Sequence, residues 1–252
     1  MGLEICVDSV ASAVAAEAGG AERIELCSAL IEGGLTPSAG LMRTVCARIG
    51  ISVHVMIRPR GGDFLYTGDE LTVMGEDIEQ AGRCGAEGVV FGLLTAEGEV
   101  DVERTRELVK LAHPMKVTFH RAIDMTRDVQ RSLSDVMETG AAFVLTSGGE
   151  STAMRGRARI REMVHAAQGK IRVMAAGGVR PANVEALMRE TGVVEVHAAL
   201  RSSLPTRMSF RTHKVRLGDP GVDGYAQTTV HSVDVKLLRE AMDKDGINGI
   251  KA

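Results

Sequence analysis

The chain predicts an α/β protein of the closed (β/α)8 type, a TIM barrel, on three observations. Eight short apolar runs alternate with windows of helical periodicity, a Gly-Ala-Glu signal recurs about every second unit, and no strand carries the proline or dense charge of a sheet edge. Strands separated by helices of this length must pair in parallel, because a parallel connection needs a crossover. An open doubly wound sheet would need edge strands, and none is marked as one.

The strands are read at Leu3–Cys6, Arg23–Cys27, Val53–Ile57, Gly88–Phe91, Lys116–Phe119, Phe143–Leu145, Arg172–Ala175 and Val194–His197. Between them, Thr36-Pro37 places a cap and a first-turn proline before a helix that Gly50 stops. Asp101 caps a helix that Pro114 ends, and Pro181 opens another that runs to Gly192. Gly20-Ala21-Glu22, Gly85-Ala86-Glu87 and Gly140-Ala141-Ala142 each end a helix and feed the next strand. Residues 198–231 break the rhythm. This long insertion precedes a final helix near Val233–Met242, and MSFRTHKVRLG within it is expected to form a short hairpin. All 252 residues are read as one domain.

Hydrophobic residues make up 44% and charged residues 25%, the profile of a soluble globular protein. A net charge of -3 gives no electrostatic reason to expect nucleic acid or an anionic membrane surface. No apolar run approaches the roughly 20 residues a bilayer span requires, and the first residues carry acids where a signal peptide carries bases. The expectation is a cytoplasmic protein. The four cysteines show no CxxC pair and no framework spacing, so they are expected as reduced thiols.

A barrel strand buries one face under helices and turns the other into the lumen, which assigns directions from sequence alone. Ile5, Val7, Ile24, Leu26, Val117, Phe119, Val194 and Val196 face out. Glu4, Cys6, Asp8, Glu25, Cys27, Met56, Arg58, Arg60, Thr118, His120, Glu195 and His197 then face in, with Arg23 at the N-terminal end. Such groups, buried unpaired, would cost several kcal/mol each. They are either ion pairs filling the interior, Glu25 with Arg58 for instance, or a site at the catalytic end of the barrel. Their number favours a site.

Two chemistries fit that site. Cys6 and Cys27 end adjacent strands on the same face, and with Met56 or His120 nearby they offer soft ligands suited to Cu(I) and, less well, to zinc. The second chemistry is acid–base catalysis on a small anionic molecule, with Glu25 and His120 moving a proton. Arg58, Arg60 and Arg201 would clamp the anion, together with the backbone of Thr146-Ser147-Gly148-Gly149 and Ala176-Gly177-Gly178. No Ser-His-Asp set, HExxH, P-loop or GxGxxG fingerprint is present.

EICVDS, GGAERIELCSAL, EGGLTPS, VMIRPRGGDFLY, VTFHRAID, VLTSGG and AAGGV together closely resemble the CutC family of copper homeostasis proteins, from the first strand through the eighth. Where that family's last strand often reads toward HxSAR, this chain has His197-Ala198-Ala199-Leu200-Arg201, without the serine. The resemblance implies a cytoplasmic (β/α)8 barrel, a self-associating dimer or tetramer linked to copper handling, with Cys6 and Cys27 matching the proposed copper ligands. The residues also leave open an enzyme on a small anionic metabolite, and an interaction protein that works through residues 198–231.

Overall fold

The computed structural model describes residues 1–212, 214–215 and 223–248. Strands β1 (Gly2–Val7), β2 (Arg23–Leu26), β3 (Ser52–Met56), β4 (Gly88–Phe91), β5 (Lys116–Phe119), β6 (Phe143–Thr146), β7 (Arg172–Ala175) and β8 (Glu195–Ala198) close into one parallel barrel. β8 returns to β1 with Glu4 opposite His197. Around the barrel stand α1 (Val10–Ala18), α2 (Ala39–Arg48), α3 (Gly68–Arg83), α4 (Val102–Ala112), α5 (Val129–Thr139), α6 (Arg157–Ala167) and α7 (Val184–Thr191). The eighth helix, α8 (Ser232–Asn248), is reached through an antiparallel ribbon of β9 (Arg201–Leu204) and β10 (Gln227–Val230).

Outward strand residues make the main core. Ile5, Val7, Ile24, Leu26, Val55, Val89, Phe91 and Phe119 have no exposed surface and share one apolar cluster with Ala13, Met42, Ile78, Leu133, Ile160 and Leu187 of the helices. At about 1.5–3 kcal/mol for each fully buried side chain, this layer outweighs any single polar contact in the molecule. It therefore dictates which strand residues are left for the lumen.

Local signals agree with the layout. The side chains of Ser9, Ser38, Asp101 and Asp128 accept N–H groups at the starts of α1, α2, α4 and α5, and Thr67 with Glu70 forms a reciprocal cap on α3. The Gly-Ala-Glu repeat has a physical cause. Gly20, Gly85 and Gly140 adopt φ of +92°, +90° and +87°, a left-handed turn that stops each helix. The next residue, Ala21, Ala86 or Ala141, is buried. The third begins the strand ladder, as when Glu22 N donates to Leu3 O at 3.1 Å.

Several local expectations give way. Ser38, not Thr36, caps α2, because the Thr36 hydroxyl and amide both bond the Arg58 carbonyl on the neighbouring loop. Pro181 sits in the turn before α7, which starts at Val184 after Asn183. Val194 precedes β8 and is half exposed. The insertion at 198–231 is not loop throughout, since its two ends pair as β9 and β10. MSFRTHKVRLG forms no strand in its described part, residues 208–212 and 214–215, and its remaining positions, 213 and 216–218, lie outside the described residues. Among the described residues, no helix is long and apolar enough to cross a membrane.

Candidate functional site

The barrel interior is polar in two tiers. In the lower tier Arg23 reaches inward, its Nε donating to Glu4 Oε2 at 2.5 Å and its Nη2 to Glu195 Oε2 at 3.0 Å. Arg172 donates to the other Glu195 oxygen at 3.2 Å, and both guanidiniums lie over the Phe143 ring. These charges are mutually satisfied and seal the bottom of the barrel.

The upper tier opens into a cavity of about 300 Å³. Cys6, Glu25, Met56 and His197 line its floor, with Cys27 fully buried behind them. Cys6 and Cys27 Sγ are 3.9 Å apart, and the Cys27 thiol donates to Glu25 Oε2 at 3.4 Å. Both cysteines and Met56 belong to one apolar cluster with Val90. The register explains the meeting, since Cys6 stands opposite Glu25 across β1 and β2. Cys6, Glu25 and Cys27 form one group whose ligand atoms lie within 4.8 Å of one another, and Glu4, Glu25 and His197 form a second.

Burial and neighbours set unusual protonation states here. The hydrogen bond that Cys6 shares with Cys27, helped by His197, brings its thiol down to about 5 against the cost of burial, which favours the thiolate. The same bond, together with burial, pushes Cys27 well above the ordinary thiol value. Burial, then the charge on Cys6, raises Glu25 well above the carboxylate range. Burial opposes charge on His197, but Glu25, Cys6 and the Glu4 oxygen 2.7 Å from its Nδ1 raise it well above the usual imidazole value. Burial also works against the Glu4 carboxylate, yet the His197 hydrogen bond and the Arg23 charge bring it to about 2.

Arg58, Phe64 and His120 form one wall. Arg58 follows β3 and is clamped by backbone carbonyls, Nη1 by Glu32 at 2.6 Å and Nη2 by Gly62 at 2.7 Å. It makes no pair with Glu25 among the described residues, so the ion pairs that fill the interior are those of the lower tier and not the Glu25–Arg58 pair offered as an alternative from sequence. His120 directly follows β5 and accepts the Ala122 N–H on Nδ1 at 3.2 Å, which leaves the ring proton on Nε2. Burial, reinforced by Arg58, lowers His120 to about 3, so the ring is a neutral donor rather than a ready base. Gly92 makes room for it, since a Cβ there would stand 2.6 Å from Nδ1. Glu25 Oε1, Arg58 Nε and His120 Nε2 are all buried and without a partner among the described residues.

At the rim stand Gly177, Gly178 and Arg201, together with Arg121 and Arg180, which the sequence reading passed over. Phe64 was passed over as well. A signal existed for each: Phe64 and Arg121 sit inside the GGDFLY and VTFHRAID blocks, and Arg180 follows the second Gly-Gly pair.

Three expected anion-binding residues lie elsewhere. Arg60 does not line the cavity; its Nε donates to Glu70 Oε1 at 2.5 Å and its Nη2 to the Leu65 carbonyl at 2.8 Å, which ties the loop to α3. Ser147 and Gly148 are also outside, because the turn after β6 already holds an anion of its own, the Asp124 carboxylate. Ser147 N donates to Asp124 Oδ2 at 2.9 Å, Gly149 N to Oδ1 at 3.0 Å, and Gly148 N to Thr146 Oγ1 at 2.8 Å. Asp8, expected in the lumen, does not line the cavity either.

A family model for the CutC family matches residues 1–202. The chain belongs to the CutC family. A CutC family protein from Chromobacterium violaceum is 46% identical over 242 residues, covering 96% of this chain and 98% of its own. The copper homeostasis protein cutC homolog of Mus musculus is 48% identical over 216 residues, covering 86% of this chain and 79% of its own. A crystal structure bearing the CutC name, from Streptococcus agalactiae, superposes with a TM-score of 0.74 at 31% identity and covers 78% of this chain and 97% of that one. The CutC blocks read from the sequence, EICVDS, IELCS, IRPRGGDF and VTFHRAID, are the segments that build the cavity floor and wall.

Proposed function

We propose that this CutC protein takes part in copper homeostasis by holding Cu(I) at Cys6 and Cys27. The observation that carries the reading is the sulfur pair on the cavity floor. Two sulfurs bonded to one ion at about 2.3 Å each can be no more than about 4.6 Å apart; these are 3.9 Å apart, with the Met56 thioether in the same cluster. Thiolate and thioether donors are soft ligands that suit Cu(I) and, less well, zinc. Cys6 is already the anionic ligand, and the ion would displace the Cys27 proton on binding. The copper is cargo. We place the protein in the cytoplasm, where its four free thiols would stay reduced, as a self-associating dimer or tetramer. Anaerobic competition titration against a Cu(I) chelator should give one ion per chain, lost in Cys6→Ser/Cys27→Ser. Undiminished binding by that double variant would eliminate these ligands.

A second reading is favoured by Glu25, Arg58 and His120, three residues that line the cavity and each hold one of the buried side-chain atoms unpartnered among the described residues, Glu25 Oε1, Arg58 Nε and His120 Nε2. Buried polar groups in folded proteins are nearly always satisfied, and three orphans beside one cavity suit a bound molecule. In this reading the barrel is an enzyme acting on a small phosphorylated or carboxylated metabolite. Arg58 and the neutral His120 hold and polarise an oxygen, and Glu25 exchanges a proton. Metabolites retained by the purified protein and identified by mass spectrometry would supply the substrate. Retention unaltered in both Glu25→Gln and His120→Gln would remove these roles.

A further inference from the structure

The two glycine turns at the barrel mouth have opposite hydrogen-bond states. After β6, the N–H groups of Ser147, Gly148 and Gly149 are taken up internally by Asp124 and Thr146. After β7, the carbonyls of Gly177 and Gly178 are bound, by Ala153 N and Asn183 Nδ2 at 2.9 Å each, while their N–H groups have no partner among the described residues. Both glycines line the cavity, with φ of +98° and +72°, the backbone setting in which successive N–H groups make a concave anion seat. Arg201, also lining the cavity, is exposed, and its side chain makes no hydrogen bond or ion pair among the described residues. Arg58 and His120 also line the cavity, with Phe64 between them, its ring 4.8 Å from the imidazole and 5.0 Å from the guanidinium carbon; Arg58 Nε and His120 Nε2 are buried and have no partner among the described residues. Four arginines face the cavity against one acid, Glu25.

We propose that the cavity binds a small organic phosphate in one orientation. The phosphate sits at the rim on the Gly177 and Gly178 N–H groups and Arg201, and a carboxylate or carbonyl oxygen at the other end lies against the Arg58 and His120 side chains. This assignment rests on the enzymatic reading and names its substrate class. A volume of about 300 Å³ lies at the small end of ligand pockets and suits a small metabolite. Rim donors of backbone N–H and guanidinium suit the three oxygens of a phosphate, and loops after the seventh and eighth strands are where barrels hold one.

Isothermal titration of the full chain with inorganic phosphate, glycerate and 3-phosphoglycerate separates the two ends. The two-ended probe should bind at least about tenfold more tightly than either fragment. Arg201→Ala should weaken phosphate and 3-phosphoglycerate by about tenfold and leave glycerate unchanged. His120→Gln should do the reverse, weakening glycerate and 3-phosphoglycerate but not phosphate, and circular dichroism establishes that each variant is folded. Equal affinity for all three probes, or phosphate binding untouched in Arg201→Ala, overturns the assignment. Tight glycerate binding with no response to phosphate overturns it while leaving an enzyme on carboxylates standing. No binding of any probe removes both the assignment and the enzymatic reading, and neither result touches Cu(I) binding, which Cys6→Ser/Cys27→Ser reports separately.

Discussion

Glu4 and His197 meet across the seam where the barrel closes, carboxylate Oε1 to imidazole Nδ1 at 2.7 Å, and this pair holds a positive charge beside the Cys6 thiolate. Glu4 is anchored from its other side by Arg23, so the charge on the cavity floor is set from the sealed tier below.

Removing that imidazolium should make Cys6 a more ordinary thiol. Alkylation of Cys6 as a function of pH, followed by peptide mass spectrometry, should show a midpoint near the value of about 5 in the parent chain. In His197→Gln the midpoint should rise by about one pH unit or more, since an opposite charge nearby favours the thiolate. An unmoved midpoint would mean that Cys27 alone stabilises it.

Two buried histidines give stability a defined pH dependence. Burial lowers His54 to about 4, and burial with Arg58 lowers His120 to about 3, against 6.5 in the unfolded chain. Between those values the unfolded state binds more protons than the folded one, so each histidine makes stability fall as the pH drops below 6.5. His54 accounts for up to about 3 kcal/mol of this, at about 1.4 kcal/mol per pH unit. Comparing Tm from pH 7 to pH 4, His54→Gln should lose less on acidification than the parent. Parallel curves would show that His54 is protonated in the fold.

Gly92 is required by the ring beside it. A Cβ at this position stands 2.6 Å from His120 Nδ1 and 3.1 Å from the Ala122 Cβ, and the ring is held between Phe64 and the Ala122 amide. Gly92→Ala should cost about 1–3 kcal/mol in urea denaturation, as overpacking in a filled core does. A cost below about 0.5 kcal/mol would mean that the ring can move aside.

Asp124 fills the β6 turn as an internal ligand, accepting Thr146 Oγ1 at 2.6 Å, two backbone N–H groups and Arg121 Nε at 2.8 Å. Asp124→Asn weakens these charge-assisted bonds and turns one acceptor into a donor facing N–H groups. The expected loss is about 1.5–3 kcal/mol by chemical denaturation. Unchanged stability would show that water replaces the carboxylate without penalty.

The amino-acid order alone determined the barrel, its strand positions and the inward direction of Cys6, Glu25, Arg58 and His120. These follow from period-two alternation and from the free energy of burying Ile5, Leu26 and Phe119 under helices, terms that act within a few residues of chain. Tertiary structure decided which polar groups remain available. Arg60 and Arg58 are two residues apart and look alike in sequence, yet Glu70, Asp63 and the loop carbonyls satisfy Arg60 outside the cavity while Arg58 lines it with a buried Nε unpartnered among the described residues. The two Gly-Gly turns look alike as well, until Asp124 takes up the N–H groups of one and leaves those of the other without a partner. The hydrogen-bond partners come from other strands and loops, so only the closed ring, by bringing distant residues to within 3 Å, determines which donors are already in use and which are free for a ligand.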